Sequence, residues 1–456
     1  MTGTDLTCHV MIGNQSVGII QTDRETAMLT YDDDWKSVGF PLSPSLPLDG
    51  SAESGAVFAF VENMLPEGEA LEQLVLLSQI PRRDVLRLAM ALSVRNDLPG
   101  AVRLVDGGSR PSAMKDAFRP ITEAEILERL KSPDILPLTV WDGTPRLSVA
   151  GVQTKLNVLK IGDAYGLAEG ENLASDRLLK FEKLSVKHLV LNEYLTMLLA
   201  AGLGHSVAEV RLLRLGDFRA LEVLRFDRKV TTEKGQLLVK RRHVIDGCQA
   251  LGKTSILKYE CPFGRGVALG INFEMLFGLC RAAEDRVGAA VTLLDWRLFN
   301  LIVGNTDAHG KNMSFFVRRA GLTPAPWYDL VSVAMIPGVD HALAMGVDGE
   351  YDDEKVHALQ LLYEADAIGV PKTWVAQRLA AMLASLEKTL PAVTAVAEKE
   401  ALTDEERRFV WQYAAFIRQR LARWQAEAKL VPELLKDESL FLRKRHGRKE
   451  CRWSDG

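Results

Sequence analysis

The chain has 456 residues, 47% of them hydrophobic and 25% charged, with a net charge of −4; this is the composition of a soluble globular protein with room for two or three domains, and it excludes a generally basic nucleic-acid binder while leaving a local patch open. The five cysteines (Cys8, Cys248, Cys261, Cys280, Cys451) are scattered with no C-x-x-C pair, which points to a reducing compartment and supplies no metal framework. No signal-peptide pattern opens the chain and no apolar run reaches membrane-spanning length, so the expected address is the cytoplasm, with no membrane partner.

Cys8 to Ile12 and Ser16 to Thr22 are β-prone runs joined at Gly13-Asn14-Gln15, a hairpin signal, with Thr26 to Tyr31 as a third strand. Pro41 to Leu48 carries three prolines and cannot be a helix or a central strand. Beyond it, Ala56 to Met64, Glu69 to Ser78 and Arg82 to Ser93 read as helices punctuated by Pro66 and Pro81. Pro99-Gly100 then turns the chain into a strand over Ala101 to Val105. Residues 1–106 therefore read as a small α+β module with nothing catalytic in it.

A surface connection at 107–120 leads to a capping-box-like helix start at Thr122, and that helix runs to Leu130. Ser148-Val149-Ala150-Gly151-Val152-Gln153-Thr154-Lys155 is a small-residue turn feeding a β-prone run, Leu156 to Ile161. Such a turn lets backbone N–H groups approach phosphates, but with one glycine it reads equally as a turn alone. Arg177 to Phe181 is a short apolar strand carrying Lys180, and Lys187 to Leu199 has helical spacing and carries Glu193. A lysine on a strand and a glutamate on the next helix is the layout of the kinase pair that holds the α and β phosphates. Glu193 reads as well as a solvated helix charge. Lys180, among Leu178, Leu179 and Phe181, needs a partner.

Glu209 to Leu215 and Arg219 to Phe226 form a hairpin at Gly216-Asp217, and the second strand runs into Leu224-Arg225-Phe226-Asp227-Arg228. In a two-lobed kinase the adenine is held by backbone at this point of the chain; Asp227 and Arg228 equally suit a local ion pair. Lys240 to His243 is basic and reads as a solvated strand end, with contact to a substrate as the alternative. Helical spacing then recurs over Phe273 to Cys280, Leu293 to Val303, Lys355 to Tyr363, Thr373 to Leu390 and Glu405 to Leu430, with Pro391 expected to stop the fourth.

Between the second and third of these helices lies Asn305-Thr306-Asp307-Ala308-His309-Gly310-Lys311-Asn312, and Tyr328-Asp329 follows. Asp307 and Asn312 stand five apart, as Asp and Asn do in the kinase catalytic loop H-R-D-x-x-x-x-N, and a second Asp follows as in D-F-G. Phosphoryl transfer needs one carboxylate at the attacking hydroxyl and oxygen ligands for magnesium. Asp307 suits the first role, Asn312 with Asp329 the second. Turn chemistry between two apolar segments accounts for the same residues without catalysis. The tail, 432–456, is basic through Arg443-Lys444-Arg445 and Arg448-Lys449; a solvated end is the plain reading, and contact with DNA phosphate the charged one.

With these segments in order, the chain resembles the HipA family of bacterial toxin-like serine/threonine protein kinases. The resemblance implies an α+β, two-lobed protein-kinase-like fold: a β-rich N-terminal lobe with the extra module at 1–106, a small lobe over 107–228, an all-helical catalytic lobe over 229–431, and the basic tail as an extension. It implies ATP and Mg2+ as cofactors. Asp307 would be the catalytic base, and Asn312 and Asp329 the magnesium ligands. Ala150, Gly151, Val152, Gln153, Thr154 and Lys155 would line the phosphates, Lys180 would contact them, and the backbone of Leu224, Arg225 and Phe226 would hold the adenine. His309, Gly310, Lys311 and Tyr328 complete the nucleotide side of the site. Ser148 matches the family's self-phosphorylated serine, whose modification ejects the phosphate loop and switches the enzyme off. Leu224 stands where an acidic hinge residue is expected. The partners implied are a HipB-like helix-turn-helix antitoxin, operator DNA through that complex, and a protein substrate of the translation machinery such as an aminoacyl-tRNA synthetase. A small-molecule kinase and a non-catalytic co-repressor acting with a DNA-binding antitoxin are the competing readings.

Overall fold

The structure is a computed structural model and describes residues 6–23, 26–93, 98–108, 115–133, 135–138, 140–145, 154–182, 186–264, 267–437 and 439–441. Two compact units emerge, each built from three stretches of chain. Met1–Val190, Ala208–Ser255 and Ser314–Ala325 make the first; Leu191–Val207, Ile256–Met313 and Pro326–Gly456 make the second.

The first unit is rich in strands. Its N-terminal sheet is antiparallel, in the order Ala27–Tyr31, Gln15–Thr22, Leu6–Ile12, Val102–Asp106, and Gly13 turns the first hairpin at a φ of 58° that glycine adopts without strain. The helices Ser54–Glu62, Glu69–Ser78 and Val85–Ser93 follow. The proline-rich segment is held as a loop by Tyr31, whose hydroxyl accepts from the Leu42 amide (2.9 Å) and donates to the Leu46 carbonyl (2.7 Å). A six-stranded antiparallel sheet comes next, in the order Val210–Leu215, Phe218–Leu224, Arg177–Phe181, Thr154–Ile161, Ala164–Glu169, Ala117–Ile121. One face of it packs Leu156, Val158, Leu179 and Phe181 against Ile126 of the helix Glu123–Lys131. That helix begins with the capping box expected at Thr122, paired reciprocally with Glu125.

Helices dominate the second unit, and to them the structure adds a two-stranded hairpin, Ala342–Val347 with Glu350–Asp352, in the lobe expected to be all-helical. The helix Arg286–Val303 is buried along its C-terminal half and ends at Gly304 in the left-handed conformation (φ 71°). Pro391 does not stop its helix, which runs Lys372–Glu400. Leu386, Leu390, Val393 and Ala397 continue one buried stripe across the proline, and Thr394 Oγ donates to the Leu390 carbonyl beside it (2.8 Å). Burial of that stripe against Asp404–Lys436 offsets a break that would cost about 3 kcal/mol in an exposed helix. By length and composition alone Lys372–Glu400 is also long and apolar enough to cross a membrane, a test that a packed core helix meets as well. Residues 442–456, with most of the basic tail, lie outside the described residues.

Candidate active site

In the second unit the buried helix Arg286–Val303 delivers the chain into the 305–312 loop, and each turn of that loop is held. The Asn305 amide donates to the Asn300 carbonyl (2.8 Å) and its side chain to Asn300 Oδ1 (2.7 Å). The Thr306 carbonyl accepts from the Ala344 amide (2.7 Å). Asp307, exposed at the tip, accepts from the Tyr259 hydroxyl at 3.0 Å. Gly310–Asn312 closes as a 3-10 turn in which the Asn312 amide donates to the His309 carbonyl (2.9 Å), while Asn312 Oδ1 accepts from the His309 amide (3.1 Å).

The second half of the site comes from the Trp327–Ser332 segment. Asn312 Nδ2 donates to Asp329 Oδ2 at 3.2 Å, so two residues 17 positions apart meet through their side chains. The Tyr328 hydroxyl donates to the Lys311 carbonyl. Asp329 has a φ of 57°, a conformation that side-chain-bearing residues adopt only where the surroundings impose it. Those surroundings are visible at both ends. The Trp327 amide donates to Ser206 O (2.8 Å), with its ring stacked on His205 at 4.3 Å. The Ser332 amide donates to Asn192 Oδ1 (2.8 Å) and its carbonyl accepts from Asn192 Nδ2 (3.0 Å). Asp307, Asn312 and Asp329 thus stand on two segments braced by the same unit.

The first unit carries the expected cationic residues on one sheet face. Lys180 lies directly across from Lys155 in the neighbouring strand, on the face opposite the one that packs Leu156 and Leu179. Both lysines are 4% exposed. Two cations set opposite each other concentrate positive charge on this face of the sheet. Thr154 opens the same strand. In the segment expected to hold the adenine, the Leu224 amide donates to Glu209 O and the Arg225 amide to Asp176 O, each at 2.9 Å. Asp227 and Arg228 are the ion pair the sequence left open. Arg228 Nη1 lies 2.5 Å from Asp227 Oδ2, Arg225 reaches the same carboxylate at 2.8 Å, and the Gly100 amide donates to it at 2.9 Å. Burial pushes the Asp227 carboxyl up, but Arg225 and Arg228 outweigh it and hold the group well below the usual carboxylate range. Arg228 also donates to Leu98 O (2.8 Å) and Gly100 O (3.1 Å), which bolts this turn to the N-terminal module.

Two family profiles match this chain: a HipA N-terminal domain over residues 8–105 and a HipA-like C-terminal domain over residues 147–390. The serine/threonine-protein kinase toxin HipA of Shewanella oneidensis is 38% identical over 437 residues, which is 93% of this chain and 97% of that protein. The chain belongs to the HipA family. A solved complex of Shewanella oneidensis HipA, HipB and operator DNA contains a chain that superposes with a TM-score of 0.84 at 37% identity, covering 93% of this chain and 99% of that one. This HipA-family member is accordingly a serine/threonine protein kinase of the toxin class.

Several expectations change against that identity. Glu193 is 0% exposed and so is not a solvated helix charge. His243 is not part of a solvated strand end: it is buried, with Nε2 donating to Leu42 O at 2.8 Å, although Lys240 and Arg242 beside it are exposed. Ser148, Ala150, Gly151, Val152 and Gln153 lie outside the described residues. Tyr259 and Asn192, which brace Asp307 and the Asp329 segment, were missed. Each sits far from its partner in sequence (48 and 140 positions), and no local spacing marks it.

Proposed function

We propose that this HipA-family chain is an ATP- and Mg2+-dependent kinase that phosphorylates a serine or threonine hydroxyl of a protein, acting in the cytoplasm as the toxin of a type II toxin–antitoxin pair. The observation that carries the reading is the contact of Asn312 with Asp329 at 3.2 Å, with Asp307 five positions earlier on the same braced loop. Two oxygen-bearing side chains are what magnesium takes from a protein when phosphates complete its shell, so Asn312 and Asp329 fit that ion. Bound Mg-ATP supplies the transferable phosphoryl group and a cation that neutralises its charge.

The chain's own groups do the rest. Asp307 orients the acceptor hydroxyl and takes its proton. Lys180 and Lys155 hold phosphate oxygens, and the backbone of Ala150, Gly151, Val152, Gln153 and Thr154 lines them. Leu224, Arg225 and Phe226 meet the adenine through their backbone. His309, Gly310, Lys311 and Tyr328 shape the turn on which the metal ligands sit. Phosphorylation of Ser148 by the enzyme itself adds about two negative charges to the phosphate-binding turn and turns activity off. The partner is a HipB-like helix-turn-helix antitoxin that brings the kinase to operator DNA, as in the Shewanella assembly, and the acceptor protein is an aminoacyl-tRNA synthetase or another translation component.

Incubating the full chain with γ-labelled ATP tests this. Self-labelling lost in Ser148→Ala, and protein labelling lowered at least about 100-fold in Asp307→Asn, are expected. Fast labelling of a sugar or antibiotic in place of protein would make it a small-molecule kinase. Undiminished toxicity and operator binding in Asp307→Asn would make it a co-repressor.

A further inference from the structure

Asp307 is the most exposed part of the loop, yet its carboxylate is not left to swing. The Tyr259 hydroxyl donates to Oδ1 at 3.0 Å, at the long end of the O–H···O range. The Tyr259 ring meets His309 edge-on, with centroids 5.1 Å apart and planes at 87°, so one side chain contacts two residues of the loop. The backbone behind that ring is fixed from several directions. The Glu260 amide donates to Ala344 O (2.9 Å), and the Ala344 amide donates to Thr306 O (2.7 Å). The Gly346 amide donates to Glu260 Oε2 (2.8 Å), and Arg297 holds the Met345 carbonyl of the same strand (3.0 Å). Tyr259, Glu260, Ala344, Thr306 and Asp307 therefore form a closed ring of covalent and hydrogen bonds. At the open side of the turn, Gly270 donates to Glu260 O (3.0 Å), and a Cβ at 270 would come within 1.7 Å of the Tyr259 carbonyl. No side chain fits there without moving Tyr259.

We propose that Tyr259 is a positioning residue for Asp307: it engages Oδ1 and fixes the plane of the carboxylate that receives the acceptor proton. This rests on the phosphoryl-transfer reading of Asp307 given above. It assigns a role to a residue outside both the catalytic loop and the metal segment. The phenol touches neither nucleotide nor metal ligand in this role, so its loss slows the transfer step and leaves nucleotide affinity alone.

The test compares wild type, Tyr259→Phe, Asp307→Asn and the double variant, all as full chains, with dephosphorylated casein as acceptor and γ-labelled ATP. Tyr259→Phe is expected to lower kcat about tenfold, with the KM for ATP within twofold and the melting temperature unchanged. In the Asp307→Asn background the same change is expected to do nothing further, because the group it positions is gone. Gly270→Ala, which displaces the Tyr259 backbone and keeps the phenol, is expected to reproduce the kcat loss. A kcat for Tyr259→Phe within twofold of wild type overturns the proposal, as does a rise in kcat, which would make the phenol a plug. A full additional loss in the Asp307→Asn background, or a parallel fall in ATP affinity and melting temperature, shows a merely structural residue. Wild type that transfers no phosphate from ATP to itself or to casein overturns the kinase reading itself, a result distinct from all of these.

Discussion

Arg420 is the residue whose removal tests most directly how the 305–312 loop is held. It lies on Asp404–Lys436 and is 7% exposed. Its guanidinium donates from Nε to Ile302 O at 3.1 Å and from Nη2 to Leu301 O, the final carbonyls of the helix that feeds the loop. Both of its terminal nitrogens also reach the buried Asp353, one of them at 2.8 Å. Arg420→Leu leaves that carboxylate without its cation and removes a donor from two helix-end carbonyls, of which Leu301 O keeps the Gly304 amide. Breaking a buried pair from one side costs about 3 to 5 kcal/mol, and the lost carbonyl bonds add about 1 kcal/mol, with the sum limited because the groups share one partner. A loss of about 3 to 5 kcal/mol in urea unfolding, followed by tryptophan fluorescence, is therefore expected, together with a fall in kinase activity. The double variant Arg420→Leu/Asp353→Leu removes both charges and is expected to recover a good part of the loss. A single-variant cost under about 1 kcal/mol, or a double variant no more stable than the single, would refute the reasoning.

Two further outcomes follow from groups in each unit. Burial pushes the His243 imidazole from 6.5 down to about 4, and Nδ1 has no hydrogen-bond partner among the described residues that could accept a second proton. Because the folded value is depressed, the unfolded chain binds the extra proton first. Its contribution is complete above about pH 6.5 and is lost as pH falls toward 4, by up to about 3 kcal/mol; His243→Gln should flatten the melting temperature over that window, and an unchanged slope would remove His243 as its cause. Asn192→Ala releases Ser332 from both of its side-chain bonds and frees the strained Asp329 backbone to relax. We expect the Mg2+ concentration for half-maximal activity to rise about tenfold and Mn2+ binding, followed by electron paramagnetic resonance, to weaken in step; identical metal curves for variant and wild type would contradict this.

The elements most legible in the sequence are those whose cause is local. Glu69–Ser78 and Arg177–Phe181 begin and end where helical spacing and a short apolar run placed them, and Thr122 caps its helix by a signature four residues long. Asp307, Asn312 and Asp329 were singled out because phosphoryl-transfer chemistry prescribes their spacing, and the structure brings Asn312 and Asp329 into side-chain contact. What the sequence hid depends on contacts formed only after folding. Pro391 looked like a stop, because nothing nearby reveals that Leu390, Val393 and Ala397 are to be buried on one stripe. His243 looked solvated among Lys240, Arg241 and Arg242, because its acceptor, Leu42, lies 201 positions away. Glu193 looked equally solvated, since helical spacing alone does not tell which polar position of a largely apolar helix will be covered.

The hidden contacts share a physical character that bears on function. In the second unit several of the buried polar groups converge on the same few segments. Asn300 holds Asn305, Arg420 holds the carbonyls of 301 and 302, Arg297 holds Met345 and Gly346, and Asn192 holds Ser332. Each ends on a segment that flanks Asp307 or Asp329, or on the strand that supports Thr306. Well-packed apolar residues would stabilise a helical unit at least as well as buried charges and amides, so stability alone does not account for these choices. Directional bonds do what apolar packing cannot: they fix a carboxylate and an amide to within a fraction of an ångström on segments with little regular secondary structure of their own. Paired apolar replacement of such a network should therefore leave the unit folded and slow the chemistry, which is the opposite of the outcome for a core that is polar by accident.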